Sequence, residues 1–274
     1  MRRLWKPRRK PQKMNKRIVF FDIDGTLWDQ TNYIPPSTIE AIHALQDKGH
    51  MAFINTGRTM GFVRDESLLG IGFDGIVAGC GTHIIVRNET RFLHRIETDL
   101  AERAVDTVRS FGMRPILEGP EYLYFDMEDF GDDKYGERIL REIPDGVLGI
   151  ADTRGDWNIS KFSCAVDHGH LEECRESLAS DFDFMVHNPL VIEVVPKGFD
   201  KGYGIRECCD ILGVDIADTI AFGDSPNDLD MLRDAGLGVA MGDAAHEAKE
   251  AADMVCEGLH EDGIYKALRK LELI

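Results

Sequence analysis

A short apolar run followed at once by two carboxylates constrains this chain more than any other feature. Residues 17–27 read RIVFFDIDGTL, and Ile18–Phe21 is β-branched and aromatic without polar alternation. Such a run predicts a strand that is buried on both faces, as in a parallel sheet. Asp22 and Asp24 follow it, and a Gly-Thr pair then turns the chain. Because ligands collect at the carboxyl ends of parallel strands, these acids mark a candidate site.

The two acids also predict a cation. Carboxylates this close repel one another unless a cation or a shared proton intervenes. Hard oxygen ligands suit Mg²⁺, which proteins usually hold with one or two carboxylates and a substrate phosphate. Asp22 and Asp24 are therefore candidate magnesium ligands. The structural alternative is a simple turn at a strand end, since Asp and Gly favour turns.

The flanking sequence predicts a doubly wound α/β core with a parallel sheet. Residues 37–40 (Ser-Thr-Ile-Glu) have the pattern of a helix capping box, and a second helix is expected after Gly57 and to end near Leu69. Right-handed β-α-β connections would bring the strand ends to one edge of the sheet. The other expected elements are strands at 51–54, 76–78, 191–195 and 219–222 and a helix at 201–212.

Between the two halves of this pattern, the spacing of apolar and polar residues changes. Residues 82–187 contain alternating segments and two helical patterns, as in a separate α+β unit. We therefore predict a core at 17–81 and 188–274 with a domain inserted at 82–187. Residues 1–16 are basic and interrupted by proline, which predicts a disordered tail. A dispensable extension is the favoured interpretation of that tail, and contact with an anionic surface is the alternative.

Composition excludes several classes of function. The 274 residues carry a net charge of −17, and removing the nine Lys/Arg of the first 17 residues leaves −26 on the remainder. This acidic body argues against nucleic-acid binding. The six cysteines include no CxxC pair, and no apolar run approaches the length of a membrane span. Without a signal peptide, this predicts reduced thiols and a cytoplasmic protein with no membrane partner.

Four groups of polar residues line up along the predicted core, each at a strand end or a helix start. They are, in chain order, Asp22 with Asp24, Thr56, Lys201, and Asp224 with Asp228. A cation beside the positive end of a helix dipole is unfavourable, so Lys201 at a helix start indicates function. Phosphomonoesters hydrolyse extremely slowly, and charge neutralisation and positioning dominate their reactions. A set of carboxylates, a hydroxyl and a lysine at one sheet edge suits that chemistry.

Five motifs, in order, resemble those of the Cof-like hydrolases, subfamily IIB of the haloacid dehalogenase (HAD) superfamily. They are DIDGT at 22–26, NTGR at 55–58, VVPKGFDKG at 194–202, GDSPNDLDML at 223–232 and VAMGDA at 239–244. The resemblance covers essentially Arg17–Leu271. It implies a Rossmann-like HAD core with an inserted α/β cap that sets substrate specificity.

The resemblance also implies a role for each site residue. Asp22 would be the nucleophile that forms an aspartyl phosphate, and Asp24 the general acid and base. Phosphate binding would fall to Thr56, Gly57, Lys201 and Asn227. Mg²⁺ would be held by the side chains of Asp22 and Asp224 and the backbone carbonyl of Asp24, with Asp228 behind them. Arg58 stays open between a substrate contact, a tie from cap to core and a surface salt bridge.

The implied function is Mg²⁺-dependent hydrolysis of a small phosphorylated metabolite, either a sugar phosphate or a phosphorylated cofactor. A sugar phosphomutase or another phosphotransferase stays open, because a cap over the site suits both reactions. A non-catalytic binding or regulatory protein on this fold is less favoured, since Asp22 and Asp24 are both present. A dehalogenase is disfavoured because Asp24 would have no task there.

For several other residues the structural interpretation outweighs the functional one. Lys161 could face a ligand, but a solvated charge is favoured. The sequence His-Gly-His at 168–170 is typical of a polar turn rather than a metal site. Trp157 could stack on a substrate ring or pack the inserted domain. Asn55 stands where the family often has alanine, and Asp243 where it often has asparagine. Neither is expected to touch the residues inferred to carry the chemistry.

Overall fold

The structure is a computed structural model, and it describes residues 16–131, 134–166, 169–186 and 191–274. Residues 1–15 of the predicted tail, His168 and the predicted end of the insertion at His187 lie outside these ranges. Its strands are, in chain order, β1 (Ile18–Phe21), β2 (Met51–Asn55), β3 (Gly75–Ala78), β4 (His83–Val86), β5 (Glu89–Leu93), β6 (Arg114–Glu118), β7 (Leu123–Tyr124), β8 (Val147–Leu148), β9 (Lys161–Ala165), β10 (Phe182–Val186), β11 (Val191–Pro196), β12 (Thr219–Gly223), β13 (Gly238–Ala240) and β14 (Met254–Val255).

Ten α-helices occur within the described ranges. They are α1 (Pro36–Asp47), α2 (Glu66–Leu69), α3 (Thr98–Ser110), α4 (Met127–Phe130), α5 (Lys134–Glu142), α6 (Leu171–Leu178), α7 (Lys201–Leu212), α8 (Leu229–Asp234), α9 (His246–Ala251) and α10 (Gly263–Lys270). Three 3₁₀ turns supplement them at Ile216–Asp218, Pro226–Asp228 and Leu259–Glu261. None of these helices is both long and apolar enough to cross a bilayer.

The first sheet runs in the order β14-β13-β12-β1-β2-β3-β4-β5. Strand β1 is central and pairs in parallel with both β2 and β12, with Phe21 opposite Ile54 and Phe222. The residues that follow β1, β2 and β12 therefore leave the sheet at one edge. This is the geometry that places the candidate site.

Apolar clusters lie on both faces of the first sheet. Phe21 and Ile54 belong to the cluster that includes α1 and α10, whereas Phe20 and Phe53 belong to the cluster that includes α7. Burying a side chain of this size contributes about 1.5–3 kcal/mol, so continuous apolar strands are stable only when both faces are covered. The predicted doubly wound α/β core is confirmed.

The second sheet runs in the order β10-β11-β9-β6-β7-β8 and is antiparallel except for the β7–β8 pair. On β9, Phe162 and Cys164 pack into a cluster with α3 and α6. The alternation of a strand sends Lys161 and Ser163 to the opposite face. We call the residues from α3 to β11, 98–196, the inserted unit; it has the predicted α+β character.

Three strands lie in a different sheet from the one predicted. Strands β4 and β5, expected in the insertion, extend the first sheet in antiparallel order. Only residues 79–82 separate β3 from β4, and a parallel crossover needs a dozen or more residues. Strand β11, expected in the parallel core, pairs antiparallel with β9 and β10. The chain passes between the two units at 94–97 and 197–200.

The starts of two helices also differ from the prediction. Helix α1 begins at Pro36, and Ser37 lies inside its first turn, donating from Oγ to Asp262 at 2.6 Å. Proline suits the first helical position because no N–H is needed there, so the capping box is wrong. The helix expected after Gly57 is limited to α2, whose start is set by Asp65, which accepts from two backbone N–H groups.

Candidate active site

Four charged side chains meet where β1 and β12 end and α7 begins. Asp22 follows β1, while Asp224 and Asp228 follow β12. Lys201 is the first residue of α7 and is 1% exposed. One oxygen from each of the three carboxylates lies within 4.8 Å of the others. The structure thus brings together the charged residues that the sequence placed at separate strand ends.

Lys201 is held between two of these acids. Its Nζ donates to Asp22 Oδ1 at 2.6 Å and to Asp228 Oδ1 at 2.7 Å. Burial opposes the charge of Lys201, but Asp22 and Asp228 outweigh it and raise its pKa. The helix start is fixed by Asp200, whose side chain accepts from the Tyr203 N–H. Lys201 is therefore a fixed ammonium group, since a buried charge persists only when it is paired.

The acids outnumber the cations in this cluster. Burial raises the pKa of Asp22, and the charge of Asp228 adds to that effect. Burial and Asp228 likewise raise the pKa of Asp224 to about 7. Three carboxylates around one ammonium leave two negative charges uncompensated when all are ionised. Hard oxygen donors with this charge fit a divalent cation.

Asp228 organises the loop after β12. Its Oδ2 accepts from the backbone N–H groups of Asp224 at 2.9 Å and Ser225 at 3.0 Å, while its Oδ1 accepts from Lys201. In the same loop, Asn227 accepts from Ser225 Oγ at 2.6 Å through Oδ1. Asp228 is fully buried and its oxygens already have partners, so it orients the residues beside it.

Gly25 and Thr26 bring the first motif against Asp224. Gly25 has φ +88°, and a Cβ there would lie 2.2 Å from Asp224 Oδ2, so only glycine fits this approach. Thr26 donates from Oγ1 to Asp224 Oδ1 at 3.0 Å. Sequence reasoning treated Thr26 as a turn former. Its position directly after the two acids was the signal that it contacts a candidate metal ligand.

Thr56 and Asn55 lie at the end of β2. Thr56 is buried, and its Oγ1 accepts from the Arg58 N–H at 3.1 Å. Asn55 donates from Nδ2 to the Lys201 carbonyl at 2.9 Å, so the expectation that Asn55 would stay apart from the chemical groups is wrong. The amide fixes the first turn of α7 against β2. Asn55 Oδ1 is buried without a hydrogen-bond partner among the described residues.

Asp24 forms an ion pair with Arg58. Arg58 donates from Nε to Asp24 Oδ2 at 2.7 Å and from Nη2 to Oδ1 at 2.8 Å. Its guanidinium carbon lies 4.9 Å from the centre of the Phe62 ring. Partial burial would raise the pKa of Asp24, but the charge and hydrogen bonds of Arg58 outweigh it and hold that pKa below its ordinary value. Asp24 is therefore ionised in this arrangement.

Two cavities that are lined by described residues adjoin this ion pair. One, of about 600 Å³, is lined by Asp24, Asp224 and Asp243 among others. The other, of about 180 Å³, is lined by Arg58 and by Glu142 of α5, so it lies between the core and the inserted unit. Cavities of a few hundred Å³ hold small ligands, so there is room for a metabolite beside Asp24.

Lys161 and Trp157 of the inserted unit have definite surroundings. Lys161 is 2% exposed, and its Nζ donates to the Gly57 carbonyl at 3.0 Å. The favoured interpretation of Lys161 as a solvated charge is therefore wrong. Trp157 is buried in the cluster beneath the second sheet and donates to Thr153 Oγ1 at 3.2 Å, which supports its packing role.

Comparison with known proteins gives consistent results. The model of the haloacid dehalogenase-like hydrolase family matches residues 19–268. A Bacillus subtilis (strain 168) protein named "Putative phosphatase YkrA" is 31% identical over 270 residues, covering 95% of this chain and all of its own length. A second protein from that organism, "5-amino-6-(5-phospho-D-ribitylamino)uracil phosphatase YcsE", is 28% identical over 92% of this chain and 94% of its own. The solved HAD subclass IIB sugar phosphatase BT4131 superposes with a TM-score of 0.77 at 28% identity, covering 94% of this chain and 100% of its own.

Proposed function

The chain belongs to the haloacid dehalogenase-like hydrolases, and we propose that it is a Mg²⁺-dependent phosphatase that cleaves a small phosphomonoester through an aspartyl phosphate. The observation that carries the proposal is the cluster of Asp22, Asp224 and Asp228 around Lys201, in which only Asp224 is partly exposed. Its uncompensated negative charge suits a metal ion. The phosphatase class itself follows from the family.

Asp22 is the nucleophile in this proposal. One of its oxygens attacks phosphorus as the bond to the leaving oxygen breaks, and water then cleaves the acyl phosphate. Lys201 supplies a fixed positive charge 2.6 Å from Asp22 Oδ1. Mg²⁺ would be held by the side chains of Asp22 and Asp224 and the carbonyl of Asp24. Bound there, it would neutralise negative charge on the phosphoryl oxygens.

Thr56, Gly57, Lys201 and Asn227 hold the phosphoryl oxygens in this proposal. The Thr56 hydroxyl accepts from the Arg58 N–H and so has its own proton to donate. Lys201 contributes charge from the start of α7. Fixed donors of this kind lower the barrier because they need no rearrangement as charge develops.

Asp24 serves as general acid and then as general base. Its ion pair with Arg58 keeps it ionised, which is the form that accepts a proton from water in the second step. Donating a proton to the leaving group in the first step requires this ion pair to open. An anionic substrate gives Arg58 another partner, so substrate binding and protonation of Asp24 are linked. Arg58 is thus a candidate substrate contact.

The inserted unit acts as the cap that selects the leaving group. The cavity of about 180 Å³ is lined by residues of both units, which supports this role. The relatives named for a ribitylaminouracil phosphate and for sugar phosphates suggest a sugar phosphate or a phosphorylated cofactor as substrate. A phosphomutase would instead return the phosphoryl group to a sugar.

A screen of phosphorylated metabolites with Mg²⁺, scored by free phosphate, tests the proposal. We expect release that stops when EDTA strips the metal and returns with Mg²⁺. Asp22→Asn serves as the inactive control. Full activity in EDTA, or turnover by Asp22→Asn at the wild-type rate, would overturn the mechanism. Phosphoryl transfer to an acceptor sugar without free phosphate would point to a mutase.

A further inference from the structure

A second buried lysine reaches the phosphate-binding loop from the inserted unit. Lys161 lies on β9, and its Nζ donates to the carbonyl of Gly57, in the loop that follows β2. The contact joins the two sheets, so it exists only when the inserted unit lies against the core. The proposed reaction gives Lys161 no part, although a buried charge needs a strong reason to be there.

The surroundings of Lys161 fix its position. Glu193 Oε2 lies 3.2 Å and Glu118 Oε1 3.4 Å from its Nζ. Glu118 is the direct cross-strand neighbour of Lys161, and Glu193 is paired with Ser163 on the same face of the sheet. Burial opposes the charge of Lys161, but the two glutamates outweigh it and raise its pKa. A charged, immobile ammonium is therefore held at the face of β9.

The core loop is shaped to receive this group. A Cβ on Gly57 would lie 2.9 Å from Glu193 Oε1, so glycine allows the close approach. Cys80, in the loop after β3, donates from Sγ to Glu193 Oε2 at 3.2 Å, and its N–H donates to the Thr56 carbonyl at 3.1 Å. Glu193 thus contacts the loop after β3, and Lys161 contacts the loop after β2. Both contacts lie close to Thr56.

One peptide group links Lys161 to the Thr56 hydroxyl. The carbonyl of the Gly57–Arg58 peptide accepts from Lys161 Nζ at 3.0 Å, and the N–H of the same peptide donates to Thr56 Oγ1 at 3.1 Å. A cation on the carbonyl polarises the peptide and strengthens its N–H as a donor. That N–H occupies a lone pair of Oγ1, so the hydroxyl proton points elsewhere, toward a bound phosphoryl group.

We propose that Lys161 is a positioning residue, which orients the Thr56 hydroxyl through the Gly57–Arg58 peptide when the inserted unit covers the core. This inference rests on the proposed role of Thr56 in phosphate binding. Lys161 acts on the transferring phosphoryl group and not on the leaving group. Its effect is therefore the same for every substrate, in contrast to a residue that selects the leaving group.

The test uses full-length protein with Mg²⁺ and orthovanadate, which mimics the transferring phosphoryl group without a leaving group. Lys161→Met should weaken vanadate inhibition about 10- to 100-fold, the range for one hydrogen bond to a charged group. kcat should fall by a similar factor on an alkyl phosphate and on nitrophenyl phosphate. Glu118→Gln leaves Lys161 against Gly57 and is the matched control, expected within about twofold of wild type.

A double-mutant cycle with Thr56→Val separates positioning from a direct contact. If Lys161 acts through Thr56, Lys161→Met in the Thr56→Val background should change vanadate inhibition by no more than about twofold. Fully multiplicative effects would overturn the inference, as would unchanged vanadate inhibition in Lys161→Met. Losses that differ between the two substrates would assign Lys161 to the leaving group instead.

Two further measurements complete the experiment. Lys161→Met leaves the buried Glu118 and the partly exposed Glu193 without their cation, so Lys161→Met/Glu118→Gln is measured in parallel. Thermal melting shows which variants fold. If Thr56→Val itself leaves vanadate inhibition unchanged, the proposed function is at fault. If Thr56→Val weakens it and neither Lys161 variant does, only the role of Lys161 is wrong.

Discussion

Lys201 and Lys161 are both buried and each lies between two carboxylates, yet their surroundings differ. Lys201 is 2.6 and 2.7 Å from its acids, with Asp224 as a third carboxylate close by. Lys161 is 3.2 and 3.4 Å from Glu193 and Glu118, and its nearest partner is a backbone carbonyl. The first cluster has three carboxylates for one ammonium group, whereas the second has two, and its ammonium group also donates to a backbone carbonyl of the core.

The comparison shows that a buried ion pair is not explained by stability. Desolvating two charges costs more than their attraction often returns, and apolar replacements can be neutral or better. Around Lys201 the excess of carboxylates creates a place for a cation and a phosphate. Around Lys161, a lysine between two carboxylates instead joins the inserted unit to the core. The group that lies near each lysine beyond its two carboxylates decides what the lysine does. Near Lys201 this group is a third carboxylate, and near Lys161 it is a backbone carbonyl of the core.

The largest expected effect comes from removing the nucleophile on the Lys201 side. Asp22→Asn should lower turnover by at least about 10⁴-fold, as loss of a nucleophile does elsewhere. The fold should persist, because the change removes one charge from an overcrowded cluster. Steady-state phosphate release and a thermal melt measure both effects. A folded variant that turns over near the wild-type rate would remove Asp22 from its role.

Asp24→Asn should have the next largest effect. The backbone carbonyl is unchanged, so metal and substrate should still bind, while turnover should fall about 10²–10⁴-fold. A nitrophenyl leaving group needs little protonation, so its first step should lose less than that of an alkyl phosphate. Burst kinetics on both substrates measure the difference. An equal loss on both, with no burst in either protein, would exclude Asp24 from acid–base catalysis.

Metal affinity should depend on pH through Asp224. Burial and Asp228 raise its pKa to about 7, and a cation binds only the ionised carboxylate. Affinity should therefore fall as pH falls through 7, by about tenfold per unit for one displaced proton. Thr26→Val removes a hydrogen bond that lowers this pKa, so its curve should shift to higher pH. Titration calorimetry with Mg²⁺ between pH 6 and 8 measures this, with Glu118→Gln as the unaffected control. A flat wild-type profile would contradict the expectation.

The same pKa has a smaller effect on the metal-free protein. Asp224 ionises near its ordinary pKa of about 4 when unfolded but near 7 when folded, so ionisation favours the unfolded chain. Stability should therefore decline as pH rises toward 7, lowering Tm by a few degrees between pH 5.5 and 8. Mg²⁺ at pH 8 should reverse the decline. In Asp224→Asn the decline should be reduced, and an undiminished slope there would assign it to other groups.

The smallest expected effect is on Cys80, on the Lys161 side. Burial, and then the charge of Glu193, raise the pKa of its thiol well above the ordinary value. At pH 8 it should stay protonated and react with iodoacetamide more slowly than the partly exposed Cys256. Peptide mass spectrometry of timed samples measures both rates. Equal rates would show that Cys80 is accessible and that the two units separate readily.

The same two lysines show what could be predicted from the sequence. Lys201 was placed correctly because parallel strands send their ends to one edge and a lysine at a helix start is unusual. Helix α7 has the predicted bounds, since its apolar periodicity is regular. The alternation of side chains along β9 predicts that Lys161 and Phe162 point to opposite faces of the second sheet. It does not indicate which of these faces contacts the core.

The other predictions that the structure corrects failed for the same physical reason. Residues 191–195 form a strand as predicted, but an apolar run does not identify its partners, and β11 pairs in the second sheet. The contact of Asn55 with the Lys201 carbonyl joins residues 146 positions apart. Neither local propensity nor motif spacing contains that information. Long-range pairing and packing between units were visible only in the structure.

The short connection from β11 to α7 has a mechanical consequence. The N–H of Gly198 donates to Asp183 of the inserted unit at 3.1 Å, whereas Asp200 accepts from the N–H of Tyr203 in α7. Phe199 lies between these two attachments, two residues before Lys201, in one of the two connections between the units. When a rigid unit rotates about the segments that connect it to the core, residues beside those segments move least. A rotation of the inserted unit about its two connections would therefore displace Lys201 less than residues that lie farther from them.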